Sequence, residues 1–94
     1  MRDYEGMFVI GSGAKDDGES NAINSIKDAI NKNEGAVEKV EKFGKRKLAY
    51  PIKRRSEGIY YLLRFKAQPQ AISKLKGIFK MNESILRCMM LRLN

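Results

Sequence analysis

Gly58-Ile59-Tyr60-Tyr61-Leu62-Leu63-Arg64-Phe65-Lys66 sets the architecture of this chain. Ile59, Tyr61, Leu63 and Phe65 alternate with Tyr60, Leu62 and Arg64. A period of two sustained over such a run predicts a strand with two unlike faces. One face is wholly apolar and the other mixed, so the strand belongs to a sheet that is buried on one side. The flanking sequence has to supply what covers that side.

Downstream, Pro69 suits the first turn of a helix. Ile72, Leu75 and Phe79 follow at i, i+3 and i+7, an apolar stripe, while Lys74, Lys76 and Lys80 take the other faces. Gly77 inside this helix costs about 1 kcal/mol relative to alanine, so the helix depends on tertiary packing. Asn82-Glu83-Ser84 then turns the chain into a last strand, Ile85 to Leu93, in which Arg87, Met89 and Leu91 alternate with Leu86, Cys88 and Met90.

Upstream, Ser56-Glu57-Gly58 reads as a turn. The polar segment from Ala36 to Tyr50 places Val37, Val40 and Phe43 three apart, which fits neither a regular strand nor a helix. Its β-branched valines and Gly44 predict a strand with a bulge. That segment runs into Gly44-Lys45-Arg46-Lys47-Leu48-Ala49-Tyr50-Pro51-Ile52-Lys53-Arg54-Arg55, where six cations flank a short apolar core ending in a Tyr-Pro stop. The cations must stay in water or meet anions. A strand that carries them past its end, towards a polyanion, meets that demand.

Further upstream, Ile23, Ile26 and Ile30 form a second helical stripe with Ala22 and Ala29 beside it. Asp16-Asp17 stand where an N-cap and first turn want carboxylates, and Gly35 is expected at C′. The first strand, Arg2 to Ile10, puts Tyr4, Phe8 and Ile10 on one face with Gly6 between them. Asp3, Glu5, Met7 and Val9 take the other, and Gly11-Ser12-Gly13 ends the pattern.

The order is β-α-β-β-α-β. Two amphipathic helices cannot bury their stripes alone, and one sheet face accepts both. With right-handed crossovers this predicts one α+β domain over residues 1–94, a ferredoxin-like split βαβ fold. Its antiparallel four-stranded sheet has order 4-1-3-2, with the second strand on an edge.

Composition narrows the function. The 94 residues carry a net charge of +8, and a chain this size buries roughly two thirds of its unfolded surface. Charge is uneven: up to Glu34 four Lys/Arg stand against seven Asp/Glu, and from Gly35 onward fifteen stand against four. Such an excess attracts nucleic acid or acidic lipid over about 8–10 Å; the plainer reading is a solvated basic surface. Cys88 is alone, which excludes an intrachain disulfide, and lies in the apolar run Cys88-Met89-Met90-Leu91, where a small buried side chain is expected. Histidine is absent, which removes the commonest metal ligand and general base. No apolar run approaches the roughly 20 residues that span a bilayer. Met1 to Glu5 pass directly into alternating sequence, and a soluble intracellular protein is expected.

If Tyr4, Phe8, Leu63, Phe65, Cys88 and Met90 face the helices, then Met7, Val9, Tyr60, Leu62, Met89 and Leu91 face outward, with Glu5, Arg64 and Arg87 among them. That set is too apolar for plain solvent and marks a partner site. An RNA-recognition module would stack bases on aromatics of its first and third strands; only Tyr60 and Tyr61 qualify, and the first strand presents Met7. A protein docked on the sheet or its edge fits better. An acylphosphatase would need an anion-cradling loop with a paired Arg and Asn, whereas Gly11-Ser12-Gly13-Ala14-Lys15 supplies no Arg. Gly11-x-Gly13 lacks the rest of a phosphate loop, and helix capping accounts for Asp16 and Asp17 better than metal binding does. No nucleophile–base pair is present. The chain reads as a binding protein without catalytic, metal or cofactor residues.

Met1-Arg2-Asp3-Tyr4-Glu5, Gly35-Ala36-Val37-Glu38-Lys39-Val40, Gly44 through Ile52, Gly58-Ile59-Tyr60-Tyr61 and the Arg87-containing last strand together resemble the bacterial small-subunit ribosomal protein six family, nearly end to end. Arg46-Lys47-Leu48-Ala49-Tyr50-Pro51-Ile52 is the most specific part. The resemblance implies a structural constituent of the small ribosomal subunit, cytoplasmic or organellar. It implies binding to central-domain rRNA as a heterodimer with small-subunit ribosomal protein eighteen, with no membrane or small-molecule substrate. Gly6 departs from the larger aliphatic residue usual in the family, which predicts a looser first strand. One residue is missing before Val37, and the sequence ends at Asn94 without an extended tail.

Reach and charge then assign Arg2, Arg46, Lys53, Arg54, Arg55, Arg87 and Arg92 to rRNA phosphate and sugar, contacts that position rather than specify. Tyr50, Pro51, Tyr60 and Leu62 are assigned to the partner protein. The competing function is a protein-interaction module of the same fold, a homodimer through the open sheet whose charge is incidental.

Overall fold

The computed structural model describes residues 1–11, 18–52 and 55–93. In chain order the elements are β1 (Arg2–Gly11), α1 (Gly18–Lys32), β2 (Ala36–Ile52), β3 (Arg55–Ala67), α2 (Pro69–Met81) and β4 (Ile85–Arg92). The sheet runs β2-β3-β1-β4 and is antiparallel throughout, which is the expected 4-1-3-2 order seen from the other edge. Both helices cover one face, as their single stripes require.

That face is the core. Tyr4, Phe8, Ile10, Leu63 and Phe65 from the central strands meet Ile26, Ile30, Leu75 and Phe79 from the helices. Tyr4 stacks on Phe65 with ring centroids 5.8 Å apart, and Phe8 meets Phe79 edge-on at 5.1 Å, the two arrangements that aromatic quadrupoles favour. The space beside Gly6 is filled from β1 itself. A Cβ there would lie 2.7 Å from the Phe8 ring, which already occupies the space an aliphatic side chain would take.

Several boundaries differ from expectation for physical reasons. At the end of α1 the left-handed residue is Glu34, at φ 66°, not Gly35. The N–H of Gly35 donates to the Ile30 carbonyl (2.8 Å) and that of Glu34 to the Asn31 carbonyl (3.2 Å), the pair of bonds that defines a Schellman motif. Gly35 is needed for a close approach instead, since a Cβ there would lie 2.6 Å from the Lys66 carbonyl oxygen. Ser56, Glu57 and Gly58 are not a turn but the start of β3, and Pro51 does not stop β2, which continues to Ile52. The expected capping carboxylates of α1, Asp16 and Asp17, lie outside the described residues.

The three-residue spacing in β2 has a simple cause. Val37 pairs with Phe65 and Val40 with Leu63, so three residues of β2 span two of β3. A register shift after Val37 thus returns both valines to the helix side of the sheet. A second shift precedes Gly44, whose φ of 98° is open to glycine and strained for other residues.

Candidate nucleic-acid interface

The β2–β3 hairpin outruns the rest of the sheet. Gly11, at the end of β1, pairs with Gly58, and beyond that point the described residues of β2 and β3 pair only with each other. Opposite Gly58 stands Arg46, then Lys47 opposite Glu57, and a third register shift leads to the Ile52–Arg55 pair. Lys45, Arg46 and Lys47 lead into this two-stranded end, all exposed, and Pro51 and the 57% exposed Tyr50 lie within it. Alternation aims Arg46 to the open face, with Gly58, and Lys47 to the helix side, with Glu57.

Ion pairing separates the cations into two sets. On the open face Arg64 meets Glu5 at 3.5 Å, Lys66 meets Asp3 at 4.0 Å, and Lys39 meets Glu41 at 3.6 Å. Those central charges are neutralised locally. Among the described residues no carboxylate pairs with Arg2, Lys45, Arg46, Lys47 or Arg87; the Arg46 guanidinium donates only to the neighbouring Lys45 carbonyl, at 3.4 Å. Unspent positive charge therefore sits at the margins of the sheet.

The expected RNA-contacting residues do not form one cluster. Arg87 pairs with Val9 and shares the open face and the hairpin end of the sheet with Arg46. Arg2 pairs with Ala67 and Arg92 with Tyr4, on the helix-side face at the opposite end. Tyr4 and Val9 are five residues apart on β1, which puts the two groups about 17 Å apart along the strand. Lys53 and Arg54 lie outside the described residues, as does the side chain of Arg55.

The open face is apolar through its middle. Leu62, Met7 and Met89 lie side by side on β3, β1 and β4, with Tyr60 and Leu91 in adjoining rows. Met89 and Leu91 are 60% and 56% exposed. Of the expected partner residues, Tyr60 and Leu62 belong to this strip and Tyr50 and Pro51 to the hairpin end. Met7, Met89 and Leu91 belong with them, legible from alternation alone. Val9 departs from expectation, while Tyr61 takes the helix-facing position that alternation predicts and drops out as a stacking candidate. Val9 lies on this face yet is 4% exposed; its side chain closes over Gly58, where a Cβ would stand 2.4 Å from Val9 Cγ1 and 3.7 Å from Leu48 Cδ2. Tyr61 faces the helices, where its hydroxyl donates to Glu19, so it offers no ring to a base.

Glu19 also meets Lys42 of β2 at 2.8 Å. The Lys42 hydrogen bond, then that of Tyr61, holds its carboxyl below the usual range. Burial, then Glu19, pushes the Tyr61 phenol up. Burial likewise pushes the Cys88 thiol up to about 11, which leaves it a poor nucleophile. Among the described residues no helix is long and apolar enough to cross a membrane.

The structure is a small basic α+β domain with a charged hairpin end and an apolar open sheet face. The family model for ribosomal protein S6 matches residues 3–92, and the chain belongs to that family. It is 38% identical to the small ribosomal subunit protein bS6 of Clostridium novyi (strain NT), over 95% of this chain and 94% of that one. Identity to bS6 of Desulforamulus reducens is 37%, over 98% and 97%. The crystal structure of 30S ribosomal protein S6 from Thermotoga maritima superposes with a TM-score of 0.87 at 31% identity, covering 98% of this chain and 87% of that one. The family is one of structural proteins of the small ribosomal subunit, a cytoplasmic particle in bacteria.

Proposed function

We propose that this chain binds central-domain rRNA of the small subunit, as a heterodimer with small-subunit ribosomal protein eighteen. The observation that carries the proposal is the hairpin end: Lys45 and Arg46, level with the last two residues of β1, and Lys47, one residue beyond, stand without carboxylate partners among the described residues. Cations left unpaired on a projecting two-stranded ribbon suit phosphate, which fixes position and register. Arg87 at the same end of the sheet, Arg2 and Arg92 at the opposite end, and Lys53, Arg54 and Arg55 by their charge in the sequence are further phosphate contacts of this reading. The partner protein covers Leu62, Tyr60, Met7 and Met89 and reaches Tyr50 and Pro51 along the strand edge.

The test is binding of the chain to a central-domain rRNA fragment across a salt series, with and without protein eighteen. Tight, salt-sensitive binding that requires the partner is the expected result. Binding in neither condition, with a homodimer in solution, would assign the open sheet to self-association instead.

A further inference from the structure

We propose that the free edge of β4, overhung by α2, is a docking site for an extended acidic segment of another protein, added to the sheet as a fifth strand. Among the described residues β4 pairs only with β1, and it lies at the opposite edge from the hairpin. The Leu93 N–H donates to the Asp3 carbonyl at 2.9 Å, and antiparallel alternation from that bond directs the backbone groups of Cys88 and Met90 away from β1, over the edge. Their side chains pack against the helix-side core. A register shift between Val9 and Ile10 leaves Leu86 without an opposite residue, so the regular part of the edge starts at Arg87.

Along this edge runs a groove of about 400 Å³ between α2 and β4. It is lined by Phe79, Leu86, Cys88 and the β4 residue Arg87, with the lysines Lys76 and Lys80 of α2 on its rim; among the described residues no carboxylate lines it. An extended peptide answers both features at once, since alternate residues of an added strand point to one side. Main-chain hydrogen bonds to the edge supply affinity, apolar residues beneath α2 fill the floor, and carboxylates meet the rim. Nucleic acid suits the groove less well, because Phe79 is 1% exposed and presents no face for stacking.

The experiment is an amide chemical-shift titration of the full chain with a blocked eight-residue peptide alternating glutamate and valine. Saturable shifts at the Cys88 and Met90 amides are expected. Binding should weaken at least tenfold for the same peptide with alternate amides N-methylated, for a lysine–valine peptide, and for a Lys76→Glu/Lys80→Glu variant whose thermal midpoint matches the wild type. Absence of saturable shifts at millimolar peptide would overturn the proposal. So would equal binding of the methylated peptide, which would reduce the effect to charge attraction. Identical shifts with an octamer of uridylate would make the groove an RNA surface instead.

Discussion

Glu19 ties three elements together. It sits in the first turn of α1, accepts from Tyr61 of β3 and pairs with Lys42 of β2. Its carboxyl is held below the ordinary value, so the stability it contributes is complete above about pH 4.3 and is lost as pH falls through the folded value. Tyr61 works in the other direction: its raised phenol contributes stability below about pH 10 that is lost as pH rises further. We expect Glu19→Gln to lower the thermal midpoint at neutral pH and to flatten its acid limb. The alkaline limb should persist, because burial is the larger cause of the Tyr61 shift. An unchanged acid limb in a midpoint-against-pH series would transfer that role to other carboxylates. Glu34 offers a simpler case. At φ 66° it bears the strain that glycine avoids, so Glu34→Gly should add about 0.5–1 kcal/mol in urea titration. Local sequence points to Gly35 because helices so often end on glycine. What it does not contain is the approach of the Lys66 carbonyl, which comes from a strand 31 residues away in sequence.

In the strands and helices, legibility follows regularity. The stripes Ile23-Ile26-Ile30 and Ile72-Leu75-Phe79, and the alternation in β3, each obey one period, and their apolar residues turn to the core as that period predicts. β2 mixes periods because register shifts change its parity along the chain, so its fine structure depends on the partner strand. Gly58 misleads for a related reason: glycine before an alternating run resembles a turn, whereas here it makes room for Val9 on the open face. Gly58→Ala would place a methyl group within 2.4 Å of a Val9 carbon and should cost about 1–3 kcal/mol by denaturant titration. A neutral outcome would mean that Val9 turns aside freely and that its packing over Gly58 adds little.

Across the molecule, charge is the organising feature. Strand order, helix placement and basic margin are all legible in the sequence, because each follows from pattern and sign alone. The division of the arginines between two ends and two faces is not, since it depends on which residues the sheet sets opposite one another. Arg46→Ala with Lys47→Ala should weaken binding to the rRNA fragment and reduce the slope of log K against log salt by about 0.7–0.9 for each phosphate no longer neutralised. The thermal midpoint should hardly move, as both side chains are exposed. A large drop in midpoint with the salt slope intact would give them a structural role instead. The sheet order carries one more consequence, for the manner in which the chain is made. β1 is flanked by β3 and β4, so the first of the four strands in chain order lies between two made later, one of them the last of the four. At about 5–20 residues per second, Phe8 and Val9 wait for several seconds before the strand bearing Arg87 and Cys88 exists to pair with them. Until then the nascent chain keeps its central ribbon half-clothed, and the sheet is completed only after both helices have been made.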